Sequence, residues 1–111
     1  MEYWETDDAS QGGLVANVSQ RGLLIYSIFE TDIGVELKIK VSFTMGDTFD
    51  GFEAFAKIIW KSVHFEDGWT GYKYGLEFTQ ISQDNRQKLR RLLAWEQAAK
   101  LHNRWHEMTS L

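Results

Sequence analysis

The chain has 111 residues, of which 43% are hydrophobic and 25% charged, with a net charge of −4; that length suits one domain with a real core. With no cysteine it has no disulfide framework and no thiolate chemistry, and no stretch approaches the roughly 18 apolar residues of a membrane span. The acidic balance argues against general nucleic-acid binding, which needs a basic footprint, and the acidic start Met1–Asp8 lacks the basic region of a secretory signal, so a cytoplasmic location is expected.

Residues 1–12 show no periodicity and run into Gly12-Gly13. They read as an acidic N-terminal arm that Tyr3 and Trp4 could dock onto a surface, ahead of a domain over 13–111. The first strand covers about 13–19. Successive side chains on a strand face opposite ways, which puts Leu14, Ala16 and Val18 inward and Asn17 and Ser19 outward. After the Gly22 turn a second strand runs to about Phe29, apolar enough for burial on both faces. A loop follows at 30–34. The clearest strand is the third: Val35, Leu37, Ile39, Val41, Phe43 and Met45 alternate with Glu36, Lys38, Lys40, Ser42 and Thr44, the mark of a half-buried antiparallel strand. Gly46-Asp47 and Asp50-Gly51 supply turns.

The fourth strand opens with Phe52, Ala54, Ala56, Ile58 and Trp60 on one face. Its phase then slips to Val63 and Phe65, which predicts a β-bulge near Lys61-Ser62. Glu66-Asp67-Gly68 turns into a fifth strand, where Tyr72, Tyr74, Leu76 and Phe78 alternate with Lys73, Gly75 and Glu77. Gly71 and Gly75 on the outer face leave room for a backbone or ligand. From about Ser82, an N-cap residue followed by Asp84, the period becomes helical. Leu89, Leu92 and Leu93 form an apolar stripe that Trp95, Ala99 and Trp105 extend. Nothing stops this helix before about Glu107. Its surplus length would offer Trp95 and Trp105 to a partner or a second copy. The fold class is therefore mainly β: a small antiparallel barrel with a long C-terminal α-helix, closure removing exposed edges.

The stretch Asn17-Val18-Ser19-Gln20-Arg21-Gly22 stands out. Asn17 and Ser19 can tie a turn together through backbone hydrogen bonds, or present donors and acceptors to a ligand. Gly22 permits a strained turn or a close approach.

The order of Asn-x-Ser-x-x-Gly, Ala56-Lys-Ile-Ile-Trp60, Tyr74-Gly-Leu-Glu-Phe78, Ile81-Ser82 and a Leu-Leu helix resembles the PilZ domain family over about residues 13–93. The resemblance implies a six-stranded-type β-barrel with a C-terminal helix, used in bacterial signalling, many members of which bind cyclic di-GMP. By that match Asn17 would bond a guanine edge, Ser19 would assist and Gly22 would keep the turn open. Arg21 sits at a variable position from which it could reach a phosphate. Binding members also carry an Arg-x-x-x-Arg arm upstream of the turn, whereas here no arginine precedes Arg21 and Glu2, Glu5, Asp7 and Asp8 lie in its place. Arginine suits that task because its fork matches phosphate and its plane stacks on rings. The expectation is a regulatory module of cyclic di-GMP signalling that acts through protein contacts with weak or no nucleotide binding. The alternative is a competent cyclic di-GMP receptor whose arginine arm comes from residues outside this chain or from another subunit. A protein partner, and a homo-oligomer through the helix, are the expected associations; cyclic di-GMP is the candidate ligand and no cofactor is expected.

Other constellations suggest less. His102 and His106 share a helix face at zinc-pair spacing, with His64 as a conceivable third ligand; a small metal-dependent enzyme is the second alternative. Histidines interacting with the helix dipole explain the pair more simply. Asp7-Asp8 and Glu66-Asp67 fall where carboxylates are ordinarily solvated. No nucleophile motif or phosphate loop is present, so no enzyme activity and no metal are expected. Trp60, Trp69, Tyr72 and Tyr74 could stack bases, but alternation assigns Trp60, Tyr72 and Tyr74 to the core.

Overall fold

A computed structural model describes the backbone at residues 1–6 and 11–109, and the side chains of those residues up to 100. Its elements are β1 (Glu2–Glu5), β2 (Gly12–Val18), β3 (Gly22–Ser27), β4 (Glu36–Met45), β5 (Thr48–Glu66), β6 (Trp69–Gln80) and α1 (Gln83–Thr109). The six strands close into a barrel in the order β1-β2-β3-β6-β5-β4, and the described pairings are antiparallel. Closure gives each strand two neighbours, while the tip of the β5–β6 hairpin extends beyond β3 and β4.

The inward set of each strand fills the interior. Ile39, Val41 and Phe43 of β4 meet Phe52, Ala54, Ala56 and Ile58 of β5, and Ile25, Tyr74 and Leu76 complete the core. Helix α1 covers it with the stripe the sequence announces: Leu89 and Leu92 are buried and Leu93 is partly buried. Burying such a leucine is worth about 1.5–3 kcal/mol. The helix start is pinned twice. Ser82 Oγ accepts from the Asn85 amide at 3.2 Å, as an N-cap does, and Asn85 Oδ1 accepts from the Glu53 amide of β5 at 2.9 Å.

Asp50-Gly51, read as a turn, lies within β5 and pairs with Phe43 and Ser42 of β4, and the structure departs from the sequence reading in further places. The first is the segment read as an arm. Within it, Glu2–Glu5 form β1, whose register sets Tyr3 opposite Gly13 of β2 and Val41 of β4. Tyr3 is 5% exposed; burial pushes its phenol pKa up, partly offset by its hydrogen bond with Ser27. A four-residue strand with one buried side chain is too short to show a period. The second departure is in β2, where the register slips between Val15 and Asn17. Ala16 is the extra residue. Val15 and Val18 consequently face the core, while Leu14 is 58% exposed.

The third departure is the bulge in β5. It falls between Ile58 and Trp60 rather than at Lys61-Ser62. Ile59 is the unpaired residue, so Trp60 turns outward and is 39% exposed instead of joining the core. The last is the end of the second strand. It stops at Ser27, and Ile28 is 61% exposed. The loop beyond is held by Tyr74, whose hydroxyl donates to the Phe29 carbonyl at 2.7 Å and accepts from the Thr31 amide at 2.8 Å.

Candidate ligand-binding site

The turn between β2 and β3 is built by Ser19. Its amide donates to the Gly22 carbonyl at 2.9 Å, and its hydroxyl oxygen accepts from the amides of Arg21 and Gly22, both at 3.2 Å. A short hydroxyl side chain two or three residues before free amides makes this closure readily. Asn17 is exposed, and its Oδ1 accepts from the Val18 amide at 2.9 Å. That contact uses the carbonyl end of the side chain, and among the described residues the amide end, with two donors, has no hydrogen-bond partner. The Arg21 carbonyl accepts from the Phe78 amide at 2.8 Å, which ties the turn to β6.

Gly22 has a reason of its own. It is buried, and its φ is not positive, so no left-handed turn demands glycine here. A Cβ at this position would lie 1.8 Å from the Leu76 carbonyl oxygen. The glycine is needed because β3 runs against the β6 backbone.

Asn17, Ser19, Arg21 and Gly22 line one open cleft of about 470 Å³ together with Leu24, Ile59, Trp60, Gly75 and Glu77. Register explains the gathering. Asn17 lies opposite Leu24, Leu24 opposite Gly75, and Gly75 opposite Trp60. Directly paired residues share a face, so these four residues form a row across four strands. The Trp60 indole lies over Gly75, where a Cβ would meet its Nε1 at 2.1 Å. Gly75 thus does leave room on the outer face, and a tryptophan takes it. The tip of the same sheet is aromatic as well: His64 lies between Tyr26 and Trp69, with ring centroids 4.8 and 5.4 Å away.

The Asn-x-Ser-x-x-Gly spacing marked the turn, but Trp60, Leu24, Ile59, Gly75 and Glu77 escaped it. Nothing in a linear pattern reports which residues of β5 and β6 come beside residue 17. Two signals were available: Gly75 on the outer face, and a slip of phase in β5 that the sequence placed near Lys61-Ser62 and that falls at Ile59, where it reverses the facing of Trp60.

Among the described residues no group of three or more His, Cys, Asp or Glu side chains could hold a metal ion. His102 and His106 lie outside the described side chains. His64 instead sits 3.1 Å from Glu66. Glu66-Asp67 form an exposed turn, and Asp7-Asp8 lie outside the described residues. Tyr74 is core and Tyr72 partly buried. Tyr72 donates its hydroxyl to Glu30 at 2.9 Å, and Lys61 bonds the other Glu30 oxygen at 3.0 Å. Those two hydrogen bonds, Lys61's first, hold the Glu30 carboxyl below the usual range. The bond to Glu30 raises both Lys61 and Tyr72.

Fold and site together define a class: a closed six-stranded antiparallel barrel with a C-terminal helix, bearing a polar turn beside an aromatic-walled cleft. No helix among the described residues is long and apolar enough to cross a membrane. The profile of the PilZ domain matches residues 3–95, and the chain belongs to the PilZ domain family. In structure it is similar to the PilZ domain with c-di-GMP of YcgR from Escherichia coli, with a TM-score of 0.68 and 18% identity over 92% of this chain and 85% of that one. At that identity the likeness is one of fold. No curated protein matches the chain significantly in sequence.

Proposed function

We propose that the chain is a regulatory module of bacterial cyclic di-GMP signalling that acts through protein contacts, with only weak affinity for the nucleotide. The carrying observation is the cleft in which Asn17, Ser19, Arg21 and Gly22 meet on a barrel similar to a PilZ domain with c-di-GMP. In this reading Asn17 offers its free amide end to a guanine edge. Ser19, whose oxygen is already occupied by two backbone amides, shapes the turn rather than gripping the ligand.

Affinity is weak because the segment before the turn has no arginine and carries Glu2, Glu5, Asp7 and Asp8, while the ligand brings two phosphate charges. Two missing charge-assisted hydrogen bonds, at about 1.5–3 kcal/mol each, amount to roughly two to four orders of magnitude in dissociation constant. Helix α1, with Trp95 43% exposed, is the proposed surface for a protein partner or a second copy. The proposal contains no catalytic step.

Calorimetric titration with cyclic di-GMP tests it. The expected dissociation constant is of order 100 µM or weaker, and Asn17→Ala weakens it further. Micromolar binding that Asn17→Ala diminishes would replace this reading with that of a competent receptor. Light scattering before and after truncation near Ala94 tests the helix; an unchanged association state and unchanged partner binding would remove its role.

A further inference from the structure

Beside the turn lies a second cleft of about 340 Å³, lined by Gln20, Arg21, Glu77, Phe78 and Arg86. It shares Arg21 and Glu77 with the first. Arg21 comes from the turn and Arg86 from the start of α1, 65 positions later in sequence. Arg86 is held against the turn itself, its Nη1 donating to the Gln20 carbonyl at 3.4 Å. That bond is long and uses one of five guanidinium donors. Neither arginine has a carboxylate at ion-pair distance among the described residues; the one arginine ion pair there joins Arg91 to Asp50. Glu77 is exposed, and the register sets Lys57 opposite it, a cation beside its charge.

The position of Arg86 sharpens the point. Its amide donates to the Ser82 carbonyl at 2.9 Å, the opening bond of the helix. The positive end of the helix dipole disfavours a cation there. Two arginines, one from the turn and one from the helix, thus line one open cleft, neither paired with a carboxylate among the described residues. Resting on the reading of the turn as a cyclic di-GMP site, we infer that Arg21 and Arg86 form a phosphate-binding pair that holds a phosphodiester of the nucleotide while Asn17 meets its base. The pair accounts for the residual, weak hold on the nucleotide in a chain whose segment before the turn has no arginine. Forked donors suit phosphate oxygens, and paired arginines hold them bidentately.

The test uses the full chain with two probes, cyclic di-GMP and inorganic pyrophosphate. Arg21→Ala and Arg86→Ala each weaken cyclic di-GMP binding about tenfold or more, and each flattens its dependence on salt. Arg86→Lys keeps charge and helix but loses the fork, and recovers binding only in part. Pyrophosphate shifts the Nε–Hε NMR signals of both arginines. If Asn17→Ala weakens the nucleotide while both arginine variants bind like the parent, the pair is refuted and the proposed function stands. If the parent shows no cyclic di-GMP binding at millimolar concentration, the nucleotide reading fails. Pyrophosphate then decides the pair: shifts at both arginines support an anion site, and unmoved signals overturn it.

Discussion

Replacing Gly22 with alanine tests the packing of the turn on the barrel. The added Cβ would stand 1.8 Å from the Leu76 oxygen, 2.9 Å from the Leu76 carbonyl carbon and 3.1 Å from Glu77 Cα. All three are backbone atoms of a central strand, so no side chain can swing aside. Reaching ordinary contact near 3.4 Å requires β3 to retreat by about 1.6 Å from β6. The ladder bonds near the Gly22–Glu77 and Leu23–Leu76 pairs cannot survive that shift. Overpacking costs about 1–3 kcal/mol, and two backbone bonds add about 1 kcal/mol each. A loss of about 3–5 kcal/mol is a large part of the 5–15 kcal/mol that holds a domain together. At about 4 °C per kcal/mol for a domain of this size, the melting temperature falls by roughly 12–20 °C.

Circular dichroism melting measures the fall, with Gly46→Ala as the control. Gly46 has φ of 60° and nothing within 4 Å, so its alanine pays only the left-handed strain of about 1–2 kcal/mol. A Gly22→Ala protein that melts no lower than Gly46→Ala would refute the close approach of β3 and β6, and with it the account of why this glycine ends the motif.

Tyr74→Phe removes both hydrogen bonds to the loop after β3 at a cost of about 2 kcal/mol, and should speed hydrogen exchange at the Thr31 amide; unchanged exchange would show that the loop is held by other means. The Glu30 carboxyl titrates below the usual glutamate range because Lys61 and Tyr72 bond its charged form. Its contribution to stability is therefore present above the ordinary glutamate pKa and lost as pH falls through the lower folded-state value. Carbon-detected NMR should place the Glu30 midpoint below that of a free glutamate and move it up in Lys61→Met; a midpoint indifferent to Lys61 would contradict the bond. Ser42 Oγ is buried with no hydrogen-bond partner among the described residues, so Ser42→Ala should leave stability equal or raise it by up to about 1 kcal/mol in urea unfolding. A clear loss would reveal a hydrogen bond at that hydroxyl.

Local chemistry by itself determined much of this protein. The period-two run from Val35 to Met45 and the change to helical spacing after Ser82 specified a sheet closed by a helix, since alternation and the leucine stripe express which face must leave water. The Asn-x-Ser-x-x-Gly spacing likewise located the turn, because Ser19 closes it with atoms no more than three residues away. Only the tertiary structure decided the rest. β1 forms because Val41 and Gly13 flank Tyr3, partners that four residues cannot announce. Bulges at Ala16 and Ile59 reverse the facing of the residues after them, since a one-residue slip moves every later side chain to the other face. That slip carried Trp60 out of the core and over Gly75. The bond from Arg86 to the Gln20 carbonyl, which brings the helix start to the cleft that Arg21 also lines, depends on where the barrel seats its helix, a long-range contact that no spacing along the chain encodes.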